Sequence, residues 1–293
     1  GTSGKPKKVY LTERNLIESA KAWGEQLKLN KDDIYLNCMP MFHISGISIF
    51  IRSLIFGFSN YLIDTFDIET INGIFRSGKI TLISMVPTML KIVLDKMNNS
   101  IPSSIRGIIV SGGVSSEDLM NRCLYHKIPV YKSYGMTETS SGICGYWIDR
   151  NPSKVSSVGL PFPNMEFKIE DSCLYVTGPM VMYGYLDSEP IDGWFDTGDY
   201  GSIDRDGYIY ISSRQSDRIV TGGENVSSKE VQDILLTHPQ IKSALVFGES
   251  DETWGQIVVA KVNSDLSENE IKSWLEDKIS NYKIPKLFYN EDF

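Results

Sequence analysis

The stretch Ile128-Pro129-Val130-Tyr131-Lys132-Ser133-Tyr134-Gly135-Met136-Thr137-Glu138 runs from β-like text straight into a glycine-centred turn carrying a ring, a hydroxyl and a carboxylate. Residues 128–133 read as a strand of a buried sheet, and the next five as the turn at its carboxyl end, where α/β proteins collect ligands. Tyr134 can stack on a base, and Gly135 lets backbone approach a flat molecule. Thr137 can donate to a phosphate oxygen, and Glu138 can hold a hard cation such as Mg²⁺ through oxygen. In isolation such a turn is more often just a turn, so the text on either side decides.

Toward the amino end, strands and helices alternate. A helix opens at about Thr12 with Leu16, Ala20, Trp23 and Leu27 on one face, followed by a strand over Ile34–Met39. The corner Pro40-Met41-Phe42-His43-Ile44-Ser45-Gly46 leads to an apolar helix over Ile47–Phe58, whose one charge is Arg52. Next come a strand near Tyr61–Ile63, a helix over Asp67–Arg76, a strand over Ile80–Val86 and a helix opened by Pro87. A strand over Arg106–Val110, the turn Ser111-Gly112-Gly113 and a helix from about Ser116 complete the series. This alternation predicts an α/β fold, a large domain built on a mostly parallel sheet with helices on both faces. His43, Gly112 and Gly113 lie at strand exits and are therefore candidate ligand contacts. The opening text, Gly1-Thr2-Ser3-Gly4-Lys5-Pro6-Lys7, has the composition of a loop that wraps a polyphosphate, although its spacing is not that of a Walker A loop. It begins in mid-loop without a Met, which reads as a fragment.

Beyond Val155 the text becomes β-rich. Strands are expected over Met165–Ile169, Cys173–Thr177, Gly201–Ile203 and Tyr208–Ser212, the last two joined by the turn Asp204-Arg205-Asp206-Gly207. Trp194-Phe195-Asp196-Thr197-Gly198-Asp199 ends in a carboxylate beside glycine, which can accept both hydroxyls of a ribose. Residues 213–225, with Arg214 and Gly222-Gly223, read as a polar hinge. After it, Ser227-Ser228-Lys229-Glu230 is a capping box opening a helix to Leu236. Strands over Ile241–Phe247 and Ile257–Val262 and a helix capped by Ser267 with Glu270 make a small α+β unit. The domains are accordingly 1–213, a large α/β domain with a β-rich subdomain, and 214–293, a small mobile α+β domain.

Composition narrows the function. The chain has 293 residues, 41% of them hydrophobic, and a formal net charge of -8, so it can build a large core and is poorly suited to binding nucleic acid. Four cysteines without CxxC spacing fit reduced core thiols of a cytoplasmic protein. The apolar run over 44–58 is broken by Ser45, Gly46, Ser48, Arg52 and Ser53 and falls short of a membrane span. A homo-oligomer is compatible with this text, which specifies no subunit count.

Five features occur in one order: the Gly/Ser/Thr/Lys loop, Pro-x-x-His at a strand exit, Tyr-Gly-Met-Thr-Glu, Thr-Gly-Asp, and an Arg followed by a Gly-Gly-Glu-Asn segment. This order resembles the adenylate-forming superfamily of acyl-CoA ligases, luciferases and peptide-synthetase adenylation domains, over essentially the whole chain. The resemblance implies two half-reactions with ATP, Mg²⁺ and CoA. A carboxylate attacks the α-phosphorus of ATP to give an acyl-adenylate, and the CoA thiol then displaces AMP. It assigns Thr2, Ser3, Gly4 and Lys7 to the β and γ phosphates, Thr137 to phosphate oxygen and Glu138 to Mg²⁺. Tyr134 with Gly112 and Gly113 would enclose adenine beside Gly135, Asp199 and Arg214 would fix the ribose, and His43 would wall the acyl pocket with Arg52 as a weaker candidate. Pro40–Ser48 with Arg52, and Gly135–Ser141, resemble most the branch of the superfamily that serves menaquinone biosynthesis, which implies 2-succinylbenzoate as the acid. Its second carboxylate then calls for donors, and hydroxyls near Ser45, Ser140 and Ser141 are the expected ones. Another acyl- or aryl-CoA ligase, acting on a fatty or benzoic acid, is the neighbouring reading, and a non-catalytic nucleotide-binding module is the reading from another class. Three departures stand out. The Gly-Lys pair that the superfamily carries after text like Tyr282-Lys283-Ile284-Pro285-Lys286 is not in these residues, and neither Lys283 nor Lys286 is expected to replace it. The hinge position is Ser216 or Asp217, and Glu170-Asp171-Ser172-Cys173 is a shortened hairpin.

Overall fold

The computed structural model describes residues 7–186, 188–214 and 217–291; Thr2, Ser3, Gly4 and Ser216 lie outside them. The described chain forms two compact units. One comprises the residues up to Thr197 together with Gly201–Ile211, and the other Gly198–Tyr200 with the described residues from Ser212 onward.

The larger unit begins with β1 (Val9–Tyr10) and then alternates: α1 (Glu13–Leu27), β2 (Ile34–Asn37), α2 (Ile44–Phe56), β3 (Ser59–Leu62), α3 (Ile68–Arg76), β4 (Leu82–Met85), α4 (Pro87–Lys96), β5 (Gly107–Val110) and α5 (Glu117–Tyr125). Local chemistry sets the helix ends. Thr12 caps α1 in a reciprocal box with Asn15, Asp67 accepts from the Thr70 amide, Pro87 opens α4, and Ser116 accepts from the Leu119 amide. α2 starts three residues earlier than its apolar run suggests and stops at Phe56, because Gly57 turns left-handed at φ 71° and its N–H bonds Ser53 O. Phe58 is thereby released to lead into β3.

After α5 come β6 (Val130–Met136), β7 (Ser141–Trp147) and β8 (Leu160–Pro161). The seven strands of the main sheet lie in the order β3-β2-β4-β5-β6-β7-β8. The first five are mutually parallel; β7 and β8 are antiparallel additions. Successive residues point to opposite faces. Leu36, Ile83, Ile108 and Val130 pack with Ile71, Phe75, Leu90 and Met120 of α3–α5, whereas Tyr35, Leu82, Ile109 and Tyr131 pack with Trp23, Leu27 and Ile49 of α1 and α2. Helices thus cover both faces, as the alternation predicts. β2 connects through α2 to β3 on one side, while β4 connects through α4 to β5 on the other. The chain therefore reverses between β2 and β4, which makes their carboxyl ends a crevice of the kind that holds ligands in open α/β sheets.

β9 (Glu166–Glu170), β10 (Cys173–Thr177), β11 (Gly184–Tyr185), β12 (Phe195–Ile203) and β13 (Ile209–Arg214) form the β-rich part. β11 pairs with β1, and the other four make a sheet in the order β13-β12-β10-β9. β12 is longer than expected and takes in Asp196–Asp199, which the text presents as a turn; Gly198 accommodates a φ of 70° within it.

In the smaller unit, the later part of the polar text over 213–225 forms β14 (Arg218–Thr221) and, with Val226 and Ser227, β15 (Glu224–Ser227), an antiparallel hairpin turned by Gly222-Gly223 at φ 59° and 84°. Alternation explains it: Ile219 and Val226 are buried while Val220 and Asn225 face out. α6 (Ser228–Leu235), β16 (Ile241–Asp251), β17 (Gly255–Ser264), α7 (Glu268–Glu276) and β18 (Leu287–Asn290) complete the unit around a core of its own, including Val231, Leu235, Val258 and Leu275. Ser227 caps α6 through the Glu230 amide, but the Glu230 carboxylate takes Lys283 at 2.7 and 2.8 Å, so the return arm of the expected box is not formed. At α7 both arms are present.

Candidate functional site

The stretch 128–138 is the centre of a β-hairpin. β6 does not end at Ser133; it continues through Tyr134 and Gly135 to Met136, because β7 pairs with it from Tyr131↔Trp147 to Met136↔Ser141. The register shifts between Tyr134 and Gly135, and Gly135 then lies so close to the returning chain that a Cβ there would overlap the Ser141 carbonyl. Glycine is therefore required by the crossing of two strands, whether or not a ligand approaches. Thr137–Thr139 form a single 3₁₀ turn at the tip, with Thr137 exposed and Glu138 half-buried. Beyond the turn, Ser140 and Ser141 have φ of 57° and 123°, two successive non-glycine residues in a region that L side chains avoid.

Hydrogen bonds within the turn and from distant elements hold this tip. The Met136 amide donates to Thr139 Oγ1 at 3.0 Å, Ser19 Oγ of α1 to Ser140 O at 3.0 Å, Ser140 Oγ to Met180 O at 2.9 Å, and the Met182 amide to Glu138 O at 2.7 Å. Tyr185 Oη donates to Glu138 Oε1 at 3.0 Å. Glu138 forms no ion pair within the described residues, so its second carboxylate oxygen can serve a cation. Those residues also contain no cluster of three or more metal-ligating side chains. A lone carboxylate fits Mg²⁺, which keeps most of its water and binds through one or two carboxylates plus substrate phosphates, better than it fits an ion needing an all-protein cage.

Arg52 of α2 reaches the same tip. It is 2% exposed, its Nη2 donates to Ser48 Oγ at 3.1 Å and Ser141 Oγ at 3.0 Å, and its guanidinium lies 4.5 Å from the Trp23 ring centroid. Its Nε is buried with no partner, and no carboxylate pairs with it within the described residues. Burial lowers its pKa to about 10, so it remains a cation at neutral pH. Of the serines expected to serve a second carboxylate, Ser140 is fully buried with its hydroxyl committed to Met180 O, and Ser141 is the acceptor of Arg52. The buried cation outranks both as an anion partner.

The other candidates sit as the sheet dictates. Val110 of β5 is opposite Lys132 of β6, so two residues further on Gly112 and Tyr134 emerge from adjacent strands at the same end of the sheet. Gly112 has φ 77° and, with Gly113, is exposed. His43 is exposed at the amino end of α2, in the connection leaving β2 at the crevice, with its ring 4.5 Å from that of Phe42. Lys7 lies with its ammonium 5.1 Å from the Tyr185 ring centroid. In the smaller unit, Asp199 is 2% exposed and accepts from Arg214 Nε at 2.7 Å. Lys283 is held by Glu230 and Lys286 lies 3.4 Å from the Trp254 ring centroid, which accounts for both lysines within local packing. Burial raises the thiols of Cys38 to about 11 and Cys123 to about 12, so they stay protonated.

The sequence pattern of the AMP-binding enzyme family matches residues 1–186, and that of the AMP-binding enzyme C-terminal domain matches residues 230–290. A relative from Bacillus cytotoxicus, 2-succinylbenzoate–CoA ligase, is 38% identical over 308 aligned positions, covering 99% of this chain and 64% of the relative. The o-succinylbenzoate CoA synthetase of Bacillus subtilis, solved with the acyl-adenylate intermediate OSB-AMP, is similar with a TM-score of 0.91 at 35% identity, over 100% of this chain and 64% of that one. The same enzyme solved with ATP and magnesium ion gives 0.90 at 34% identity, over 100% and 65%. The chain thus spans just under two-thirds of the length of these relatives.

Proposed function

The chain belongs to the AMP-binding enzyme family, and on that premise we propose that it serves an ATP- and CoA-dependent acid–thiol ligase of the cytoplasm whose acid is 2-succinylbenzoate. The observation that carries the choice of acid is Arg52, a buried cation without a carboxylate partner among the described residues, bonded to the residue three positions after Glu138. A monocarboxylic acid places its only carboxylate at the α-phosphorus and leaves such a cation uncompensated, which is costly in a buried site. A diacid supplies the missing charge. The relatives named for 2-succinylbenzoate support the same reading.

Adenylation needs no covalent enzyme nucleophile; it needs the acid held in line with the α-phosphorus and the developing charge neutralised. Thr137 donates its hydroxyl to phosphate oxygen, and Glu138 offers the carboxylate oxygen that Tyr185 leaves open. Bound there, Mg²⁺ would supply neutralisation of phosphate oxygens. Tyr134 and the Gly112-Gly113 turn take the adenine, Asp199 accepts from the ribose hydroxyls with Arg214 beside it, and His43 closes the acyl side of the crevice. Lys7, with Thr2, Ser3 and Gly4, takes the β and γ phosphates. CoA thiol then displaces AMP to give the thioester.

Pyrophosphate release by the full-length coding product, with 2-succinylbenzoate, benzoate and a medium-chain fatty acid offered in turn, tests the reading. Preference for the diacid is expected. Equal or better turnover of benzoate or the fatty acid overturns the acid, and nucleotide binding without turnover of any acid overturns the ligase.

A further inference from the structure

Segment 182–186 grips two pieces of the site at once. Its backbone pairs with β1, Val9 opposite Tyr185 and Tyr10 opposite Gly184, and the Leu186 amide donates to Lys8 O at 2.8 Å. Three residues before Tyr185 the Met182 amide donates to Glu138 O at 2.7 Å. Tyr185 repeats this double grip with its side chain. Its hydroxyl donates to Glu138 Oε1 at 3.0 Å, while the Lys7 ammonium lies 5.1 Å from its ring centroid. Both halves of the phenol are used: the polar tip meets the carboxylate and the negative face of the ring meets the cation.

We infer that Tyr185 is the positioning residue that orients the Glu138 carboxylate toward the cation and couples it to the lysine end of the polyphosphate loop. This rests on the reading of Glu138 as the Mg²⁺ ligand. The physical argument is rotameric. A half-buried glutamate on a one-turn 3₁₀ segment has three side-chain torsions, and the backbone bond from Met182 to its carbonyl does not fix them. A hydrogen bond to one carboxylate oxygen fixes the plane of the group and leaves the other oxygen for metal, the part that outer-sphere partners play at metal centres. Because the same ring carries Lys7, a displacement of Lys7 disturbs the carboxylate, and a nucleotide that engages Lys7 meets a metal ligand already aimed.

The test is equilibrium binding of a fluorescent ATP analogue to the full-length protein, titrated with Mg²⁺, with AMP binding and thermal melting measured alongside. Tyr185→Phe keeps the ring and removes the hydroxyl. It should raise the Mg²⁺ concentration at half-saturation roughly tenfold, as loss of a hydrogen bond to a metal ligand does, with AMP affinity and melting temperature unchanged. Tyr185→Leu removes the ring as well and should additionally weaken ATP relative to AMP. Glu138→Gln separates the inference from the reading beneath it. If Glu138→Gln shifts the Mg²⁺ midpoint and Tyr185→Phe does not, the positioning role is overturned and the metal ligand stands. If Glu138→Gln leaves the midpoint in place, the reading of Glu138 fails and the inference falls with it. A Tyr185→Phe protein that melts early and loses AMP and ATP equally would make Tyr185 a packing residue only.

Discussion

Arg52 shows how a single residue can be visible in sequence and yet unread there. An arginine inside an apolar helical run is conspicuous, but its meaning depends on Ser141, 89 positions away, on Trp23 beneath it, and on the lack of a carboxylate counterpart among the described residues. None of these is local. Of the serines that sequence offers as donors, Ser140 gives its hydroxyl to Met180 O, while Ser141 Oγ accepts from Arg52. Replacing Arg52 by Leu should raise KM for 2-succinylbenzoate about 10- to 100-fold, the loss expected for a hydrogen bond to a charged group worth about 1.5–3 kcal/mol. KM for ATP should stay within twofold. Pyrophosphate-release kinetics on the full-length protein would show it, and an unchanged KM for the diacid would remove Arg52 from the acid's binding site.

Among the elements, the β6–β7 hairpin differs most from its reading in sequence. β7 is Ser-Gly-Ile-Cys-Gly-Tyr-Trp, and two glycines in seven residues dilute the pattern by which a strand is recognised. Pairing and close packing, not propensity, make it a strand. β6 also carries Lys132, 5% exposed, whose Nζ donates to Val155 O at 2.6 Å with no carboxylate in contact among the described residues. Burial lowers its pKa from 10.5 to about 8, with the charge of Glu117 opposing the shift. The sign follows directly. Between about pH 8 and 10.5 the unfolded chain holds a proton that the folded chain does not, so unfolding takes up a proton and stability from this group rises with pH through that window; below pH 8 the full cost of the buried ammonium is present. Lys132→Met should abolish this increment. The stability of the parent relative to the variant, from urea unfolding, should rise by about 1–3 kcal/mol between pH 7.5 and 10, and a flat difference would mean that Lys132 titrates at its ordinary pKa.

On the scale of the molecule, the core of the smaller unit is drawn entirely from residues 219–279 and its packed flanks, separate from the two layers that cover the main sheet. A unit with its own core can unfold by its own transition. Leu275, fully buried in α7, is a suitable probe: Leu275→Ala should destabilise the smaller unit by about 2–5 kcal/mol. Calorimetry should show a lowered transition for that unit and an unmoved one for the larger, whereas a common shift would mean that the two unfold together.

Sequence alone determined the α/β alternation and the caps at Thr12 and Ser267. These depend on spacing, helix termini and short turns, which are properties of neighbouring residues. Tertiary structure alone decided that Tyr134–Met136 continue a strand into a hairpin whose tip carries Thr137 and Glu138, that Asp199 sits inside a strand against Arg214, that residues 218–227 form the β14–β15 hairpin, and that Arg52 and Tyr185 converge on the Glu138 turn. The physical reason is the same each time. Pairing with a distant strand satisfies backbone groups that local propensity leaves open, and a buried charge is defined by what surrounds it, which no window of contiguous sequence contains.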